Sequence, residues 1–467
     1  MKPKPAILLH LLLLLALSAC GLAKTIPSRN PNRDTTSQPT RFPDPKEVRA
    51  LLVQLVDVEK RAPGIVVGMI AADPQERWVV GYGRLSASDE RVPDGDTVFE
   101  IASVTKVFTG TLLAQAVLNG EVKLDDPISM YLPEGVSAPE YEGRSITLLD
   151  LATHTAGLPR WPSYSEEAWN NPFTDYTMEQ MWAFLSGFRL TRAPGSLYEY
   201  SNYGFGLLGN LLARRAGQED YEALLLDRIT RPLGMDSTRI KLTPDMASRL
   251  AIPHSTYSVE NSLFDAPIHA GAGSILSTAN DLLTFLAANM GMTNTQLQPA
   301  LQLANTPQRP GETLAHIGLG WNLPGSGDGI HYHGGGSFGS SSFLTWDSAR
   351  KIGVVVLMNI YDGPKETLAV HLLRGLPKPF PVAPQVLAAY AGSYRFDEFI
   401  MTIRVDGARI YPQVPGQQGG DLIAISENRF YLRELYAELV FYRNGRGKVD
   451  RLALVGIDGA LEARRIP

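Results

Sequence analysis

The sequence predicts two folded parts in series, a large mixed helix-and-strand domain over residues 46–376 and a small all-β domain over 387–467. Three observations lead there. Helical and strand periodicities alternate from Lys46 to about residue 376. Four prolines crowd residues 377–386, PKPFPVAPQV, and read as a linker. Beyond them come short strand-like runs separated by Asp406-Gly407, Asn444-Gly445 and Asp458-Gly459, pairs that favour hairpin turns.

In chain order, residues 1–20 come first: MKPKPAILLHLLLLLALSAC. Lys2 and Lys4 give a positive start, residues 6–17 an apolar run too short for an ordinary spanning helix, and small residues lead into Cys20. This is the pattern of a secretory leader. Leu17-Ser18-Ala19-Cys20 resembles the lipobox of bacterial lipoproteins, which implies that Cys20, the single cysteine, becomes the lipidated first residue. A plain signal peptide cleaved nearby is the alternative. Gly21 in place of Asp implies, by the same resemblance, an exported chain anchored in the outer membrane and facing the periplasm. Several acyl chains would hold it firmly. Residues 21–45, rich in Pro, Ser, Thr and Asn, read as a disordered tether.

Val48, Leu51, Leu52, Leu55 and Val56 then fall at helical spacing. GIVVGMIAA and RWVVGYG, joined by DPQE, read as a hairpin. Helices are expected over 104–119, closed by Asn119-Gly120, over 202–217, and over 277–290 behind Ser277-Thr278. Strands are expected at 342–346 and 352–359. In the C-terminal part Met401, Ile403 and Val405 alternate with Thr402 and Arg404, as in a half-buried strand.

Composition bounds the function. A net charge of −5 without a basic stripe argues against nucleic acid as a partner. One cysteine excludes disulfides within the chain and argues against cysteine-based metal sites.

The chemistry gathers in three places. In FEIASVTKVFTG, Ser103 and Lys106 stand three apart, so a helix starting at Ser103 sets them on one face. Serine needs a base to become a nucleophile. Lysine can serve only if its pKa is lowered, and burial together with the positive helix end lowers it. Ile101, Val104, Val107 and Phe108 supply that apolar context. Alone the pair is weak evidence, since about two S-x-x-K matches arise by chance in a chain this long. In RAPGSLYEYSNYGFGLLG, Tyr200 can relay a proton and Asn202 can hold a substrate amide. Ser201 and Asn202 as helix caps, with Tyr200 as a core aromatic, is the plainer reading. In IHYHGGGSFGSSSF, Gly334-Gly335-Gly336 after His333 mark a strand that something approaches closely. The amide of Gly336, paired with that of Ser103, can receive a developing oxyanion. A loop, or a His331/His333 metal pair lacking a visible third ligand, are the alternatives.

Together S-x-x-K, Y-S-N and H-G-G, in that order, resemble the penicillin-recognising serine hydrolases, and most nearly the class C β-lactamases, the related D-Ala-specific peptidases and the esterases sharing their fold. The stretches GEVKLDDPISMYLP, ITLLDLATHTAGLP, RPLGMDSTR and GAGSILSTANDLLTFL support the resemblance, which runs from about 46 to 376. It implies an α+β fold of the β-lactamase/penicillin-binding-protein type: a five-stranded antiparallel sheet flanked by helices, plus an all-helical lobe, with the site between them. It implies Ser103 as the acylated nucleophile, Lys106 as proton acceptor, Tyr200 as general acid–base, and Asn202, His333, Gly334, Gly335 and Gly336 around the substrate. No metal or organic cofactor is implied. One departure stands out: class C β-lactamases usually carry K-T-G where this chain has His333-Gly334-Gly335. A histidine only partly charged at neutral pH is a weaker carboxylate anchor. AAYAGSYR with the hairpins after it resembles the lipocalin-like domain appended to some serine peptidases of the family.

The expected function is therefore a serine acyl hydrolase acting on D-amino-acid cell-wall peptides, peptidoglycan-derived partners, with some β-lactam binding or hydrolysis. A carboxylesterase on the same fold and a non-catalytic wall-binding lipoprotein are the alternatives, the last needing a lost catalytic residue where none is missing.

Overall fold

The computed structural model describes residues 42–73, 75–162, 171–309, 315–324, 329–375, 380–397, 399–414, 422–432, 437–456 and 459–467. Cys20, the leader and the tether up to residue 41 lie outside them. Folded structure begins ahead of Lys46. Phe42 meets Trp78 edge-on at 5.8 Å, and Asp44 caps the first helix, α1 (Pro45–Val53), through a capping box with Glu47. The last four residues of the expected tether are thus held by apolar contact and capping.

The hairpin forms as the two β-rich runs predict: β1 (Gly64–Ala71) pairs antiparallel with β2 (Glu76–Gly83). Helices α2 (Thr105–Leu118), α3 (Asn202–Arg215) and α4 (Ala279–Asn289) follow, the last two capped by Ser201 and Thr278. The strands β3 (Ile330–Gly336), β4 (Ser341–Asp347) and β5 (Ile352–Met358) then complete the sheet, and α5 (Lys365–Arg374) closes the domain. The strand order β2-β1-β5-β4-β3 gives the five long strands the family resemblance implies. Two short strands, Asn322–Pro324 and Ala315–Ile317, extend that edge to seven.

Both faces of this sheet are covered, which is why β1 and β5 are apolar along nearly their whole length. Ile65, Val67 and Met69 share one core with Val48 and Leu52 of α1 and Leu368 and Leu372 of α5. Val66 and Ile70, on the alternate face, share another with Phe108 of α2 and Leu283 and Leu286 of α4. α2 therefore runs buried through the middle of the domain, with Phe108 stacked on Phe285 at 4.2 Å. A helix buried all round suits a residue that must lose its charge.

The C-terminal part opens with α6 (Pro384–Tyr390), which begins inside the proline-rich stretch because proline is well suited to the first turn of a helix. Of that stretch, residues 377–379 lie outside the described residues. Eight antiparallel strands follow: β6 (Gly392–Arg395), β7 (Ile400–Asp406), β8 (Arg409–Gln413), β9 (Leu422–Ala424), β10 (Arg429–Leu432), β11 (Ala437–Arg443), β12 (Val449–Gly456) and β13 (Gly459–Ile466). Their order, β8-β7-β6-β13-β12-β11-β10-β9, brings the edge strands β8 and β9 together in a nearly closed barrel around Tyr390, Tyr394, Phe430 and Phe441. Gly407 turns the first hairpin with φ +60°. At Asn444-Gly445 the turn works differently from the expected pair. The Asn444 side chain accepts from the amides of Arg446 and Lys448, and Gly447 carries the positive φ of 75°. Asp458 lies outside the described residues.

Candidate active site

Ser103 sits in a short 3-10 turn, Ala102–Val104, that leads directly into α2. The residue before it, Ala102, is held at φ +45°, a region costly for a side chain other than glycine. This kink lifts Ser103 out of the strand direction of Val98–Glu100 and onto a cavity of about 170 Å³. The kink is pinned from behind. Ser342 Oγ donates to the Ile101 carbonyl at 2.7 Å, and the buried Glu100 accepts from Ser337 Oγ at 2.7 Å and from the Phe264 amide. Burial pushes the Glu100 carboxyl above the usual carboxylate range.

One turn on, Lys106 is completely buried. Its Nζ lies 3.1 Å from Ser103 Oγ, 2.8 Å from Asn202 Oδ1 and 2.7 Å from the Ala272 carbonyl oxygen. Burial first, and then the nearby Arg160 guanidinium, hold its pKa well below the ordinary lysine value. The neutral form that this shift favours gives the bonds one direction. A neutral amine has two hydrogens and one lone pair. The Ala272 carbonyl and the Asn202 amide oxygen can only accept, so they take the two hydrogens. The lone pair is left facing the Ser103 hydroxyl.

Tyr200 completes the group. Its ring lies under Lys106 Nζ at 4.8 Å, and its phenol is near enough to Ser103 for the serine side chain to offset part of the rise in its pKa. Burial pushes its pKa up to about 12, so it enters as a phenol and not a phenolate. His154 holds it in place. The imidazole stacks on the Tyr200 ring at 4.3 Å, its Nδ1 accepts from the Ser201 amide at 3.0 Å, and its carbonyl accepts from the Glu199 amide at 2.7 Å. Burial first, and then the Arg160 guanidinium, keep His154 neutral, as an acceptor at Nδ1 must be. His154 does this at φ +57°. His154→Ala is expected to lower kcat about tenfold to a hundredfold by letting Tyr200 drift. Asparagine, which tolerates positive φ and brings an acceptor oxygen, should recover part of the loss. Equal kcat in all three proteins would remove the positioning role.

From β3, Gly336 and Ser337 reach the cavity wall. A methyl group on Gly335 would overlap the Ile101 carbonyl and the Ser342 hydroxyl, so the glycine is what lets β3 approach the turn carrying Ser103. On Gly336 the same methyl would meet nothing within 4 Å. Gly335→Ala is accordingly expected to cost about 1–3 kcal/mol of stability by overpacking, measured by urea unfolding, while Gly336→Ala costs little. His333 departs from expectation. It is buried at 4% exposure, with Nδ1 2.8 Å from the Gly334 carbonyl. Burial brings its pKa to about 3, so it is neutral and not partly charged near pH 7. His331 belongs to the core, stacked on Trp346 at 4.0 Å. Among the described residues no three His, Cys, Asp or Glu side chains gather as metal ligands.

The structure thus brings Ser103, Lys106 and Asn202 into one hydrogen-bonded cluster, with Tyr200 packed against it and Gly336 on the wall of the cavity. Sequence reasoning missed Glu100, His154 and Arg160. All three lie in or beside the motif stretches, and their signal was a titratable side chain there without an assigned role.

An acylatable serine beside a buried neutral amine and a phenol, between a helical lobe and an antiparallel sheet, defines a serine hydrolase of the β-lactamase and penicillin-binding-protein type. The chain belongs to the Beta-lactamase family, whose model matches residues 48–375. It is 33% identical over 308 residues to the D-alanyl-D-alanine-carboxypeptidase/endopeptidase AmpH of Escherichia coli K12, covering 62% of this chain and 78% of that one. Among solved structures, the β-lactamase/D-alanine carboxypeptidase of Yersinia pestis, complexed with citrate, superposes with a TM-score of 0.57 at 30% identity, over 67% of this chain and 93% of that one. The octameric penicillin-binding protein homologue of Pyrococcus abyssi gives a TM-score of 0.63 at 21% identity, which speaks for the fold alone. It covers 90% of this chain and 100% of its own.

Proposed function

We propose that the chain is a peptidase or amidase on D-amino-acid peptides of the cell wall, working through a Ser103 acyl-enzyme and also acylated by β-lactams. The lone pair of Lys106, left facing the Ser103 hydroxyl by two accept-only oxygens, carries the reading. Ser103 Oγ attacks the substrate carbonyl carbon and its proton passes to Lys106 Nζ. The amides of Ser103 and Gly336 receive the oxyanion. The C–N bond breaks as the Tyr200 phenol protonates the leaving amine, and Lys106 returns the proton to the phenolate. Water then attacks the acyl ester, its proton passing through the same pair, to release a carboxylate and restore the Ser103 hydroxyl. The neutral phenol and neutral amine are the forms this sequence needs at its start. The D-alanine specificity is drawn from the names of the Escherichia coli and Yersinia pestis relatives.

Cys20 and the leader before it support export and lipid anchoring, with the enzyme facing the periplasm from the outer membrane. The test of function is a substrate panel: a D-alanyl-D-alanine peptide, nitrocefin and a butyrate ester, alongside a fluorescent penicillin read by mass on the peptide containing Ser103. Peptide turnover with labelling of Ser103 is expected. Turnover of the ester alone would give the place to a carboxylesterase, and no turnover or labelling of any kind would sink the acyl-enzyme.

A further inference from the structure

The cavity beside Ser103 is walled largely by aromatic side chains, with Trp161 stacked on Phe173 at 4.4 Å and Phe264 meeting Phe338 at 5.7 Å. Among its described wall residues one side chain is charged, Arg160. Arg160 is exposed in that wall and has no ion-pair partner among the described residues. Its backbone is fixed: the Arg160 carbonyl accepts from the amides of Asn202 at 2.9 Å and Tyr203 at 3.2 Å, which ties it to the first turn of α3. Its guanidinium carbon stands 5.1 Å over the Tyr200 ring.

Among the described residues the site has no other cation to offer. Lys106 spends its hydrogens on Asn202 and Ala272, and His333 is buried against its own strand. The buried carboxyl of Glu100 already receives Ser337 and the Phe264 amide, so it does not compete for the guanidinium. An arginine keeps its charge at any working pH and presents a planar fork that matches a carboxylate with two parallel bonds. A substrate seated against the aromatic walls displaces water from the guanidinium and strengthens such a pair.

We propose that Arg160, and not the third-motif histidine, grips the free carboxylate of the substrate's leaving group, which makes the enzyme selective for acids over their amides. The side of the scissile bond follows from Tyr200. The phenol protonates the leaving amine, and Arg160 lies against the ring of that same residue. The inference rests on the peptidase reading above and adds a specificity-determining residue to it.

The experiment compares a peptide ending in D-alanyl-D-alanine with the same peptide capped as its C-terminal amide. kcat/KM is measured on both for wild type, Arg160→Gln and Arg160→Lys. The quantity read is the acid-to-amide ratio, because loss of packing or of Tyr200 alignment lowers both rates and leaves the ratio alone. Wild type is expected to favour the acid by about tenfold to a hundredfold, the range of one charge-assisted carboxylate contact. Arg160→Gln should bring the ratio to near one, and Arg160→Lys to a value between. A ratio unchanged in Arg160→Gln overturns the proposal while leaving the peptidase reading intact, as does a wild type that treats acid and amide alike. Turnover of neither peptide by wild type overturns both.

Discussion

Ser103→Ala is expected to abolish covalent labelling by penicillin and to lower turnover by about 10⁶-fold, the scale on which removing a serine nucleophile acts. The size of the effect follows from how little else could take its place. Thr105 and Thr109 are buried, and Thr109 Oγ1 already bonds the Gly271 carbonyl and the Tyr221 phenol. Ser337 donates to Glu100. Ser103 alone among these hydroxyls has both a cavity in front of it and the Lys106 lone pair beside it. The fold should be untouched, since Ser103 contributes no cap bond to α2 and its turn is held by Ile101 and Ser342. The measurement is intact-protein mass after exposure to penicillin, with a thermal unfolding curve beside it. A labelled Ser103→Ala protein would move the nucleophile elsewhere.

Much of this site could be read from the chain because its first pair is local. Ser103 and Lys106 lie three apart on one helix, so spacing alone sets hydroxyl beside amine. Their apolar neighbours also announced the burial that removes the charge. Tyr200 and Asn202 were legible through the cap position between them, since Ser201 does accept from the Gly204 amide and start α3. The plain capping reading and the chemical one hold together: the cap presents the tyrosine and the asparagine. What could not be read depends on chain crossings. His154 meets Ser201 across 47 residues and Glu100 meets Ser337 across 237. No local period encodes such pairs. The charge of His333 failed for the same reason, because its burial is set by the packing of β3 and not by the triplet itself. In the fold, the hairpin β1–β2 and the helices came through, since β-rich runs flanking a turn and capping residues are local signals. The short strands at Asn322–Pro324 and Ala315–Ile317 carried too few residues to show a period.

Lys106→Arg and Lys106→Met are each expected to lower kcat by about 10³- to 10⁴-fold, the upper part of what a positioned general base supplies. Arginine keeps a cation that cannot give up its proton, and methionine keeps the shape without the nitrogen. Two variants are needed because a buried guanidinium can unfold the helix and thereby imitate loss of the base. The pH dependence distinguishes a base from a bystander. Activity needs Lys106 unprotonated, so kcat/KM should rise with pH through a limb lying well below the ordinary lysine value, as burial and Arg160 dictate. It should then stay level until Tyr200 ionises, near pH 12. A rising limb at pH 10 or above would mean that the amine is charged at neutrality and is not the base. Stability gives an independent sign. The folded chain holds Lys106 unprotonated while the unfolded chain binds the proton up to the ordinary lysine value of 10.5. Between the two pKa values the unfolded state carries the extra proton, so folding stability gains as pH rises. Wild type should therefore gain stability relative to Lys106→Met between neutral pH and pH 10, measured by urea unfolding at each pH. A difference that stays flat over that interval would show that the lysine is charged in the fold. The active site would then spend no stability on keeping its base neutral, and the chemistry assigned to Lys106 would lose its physical ground.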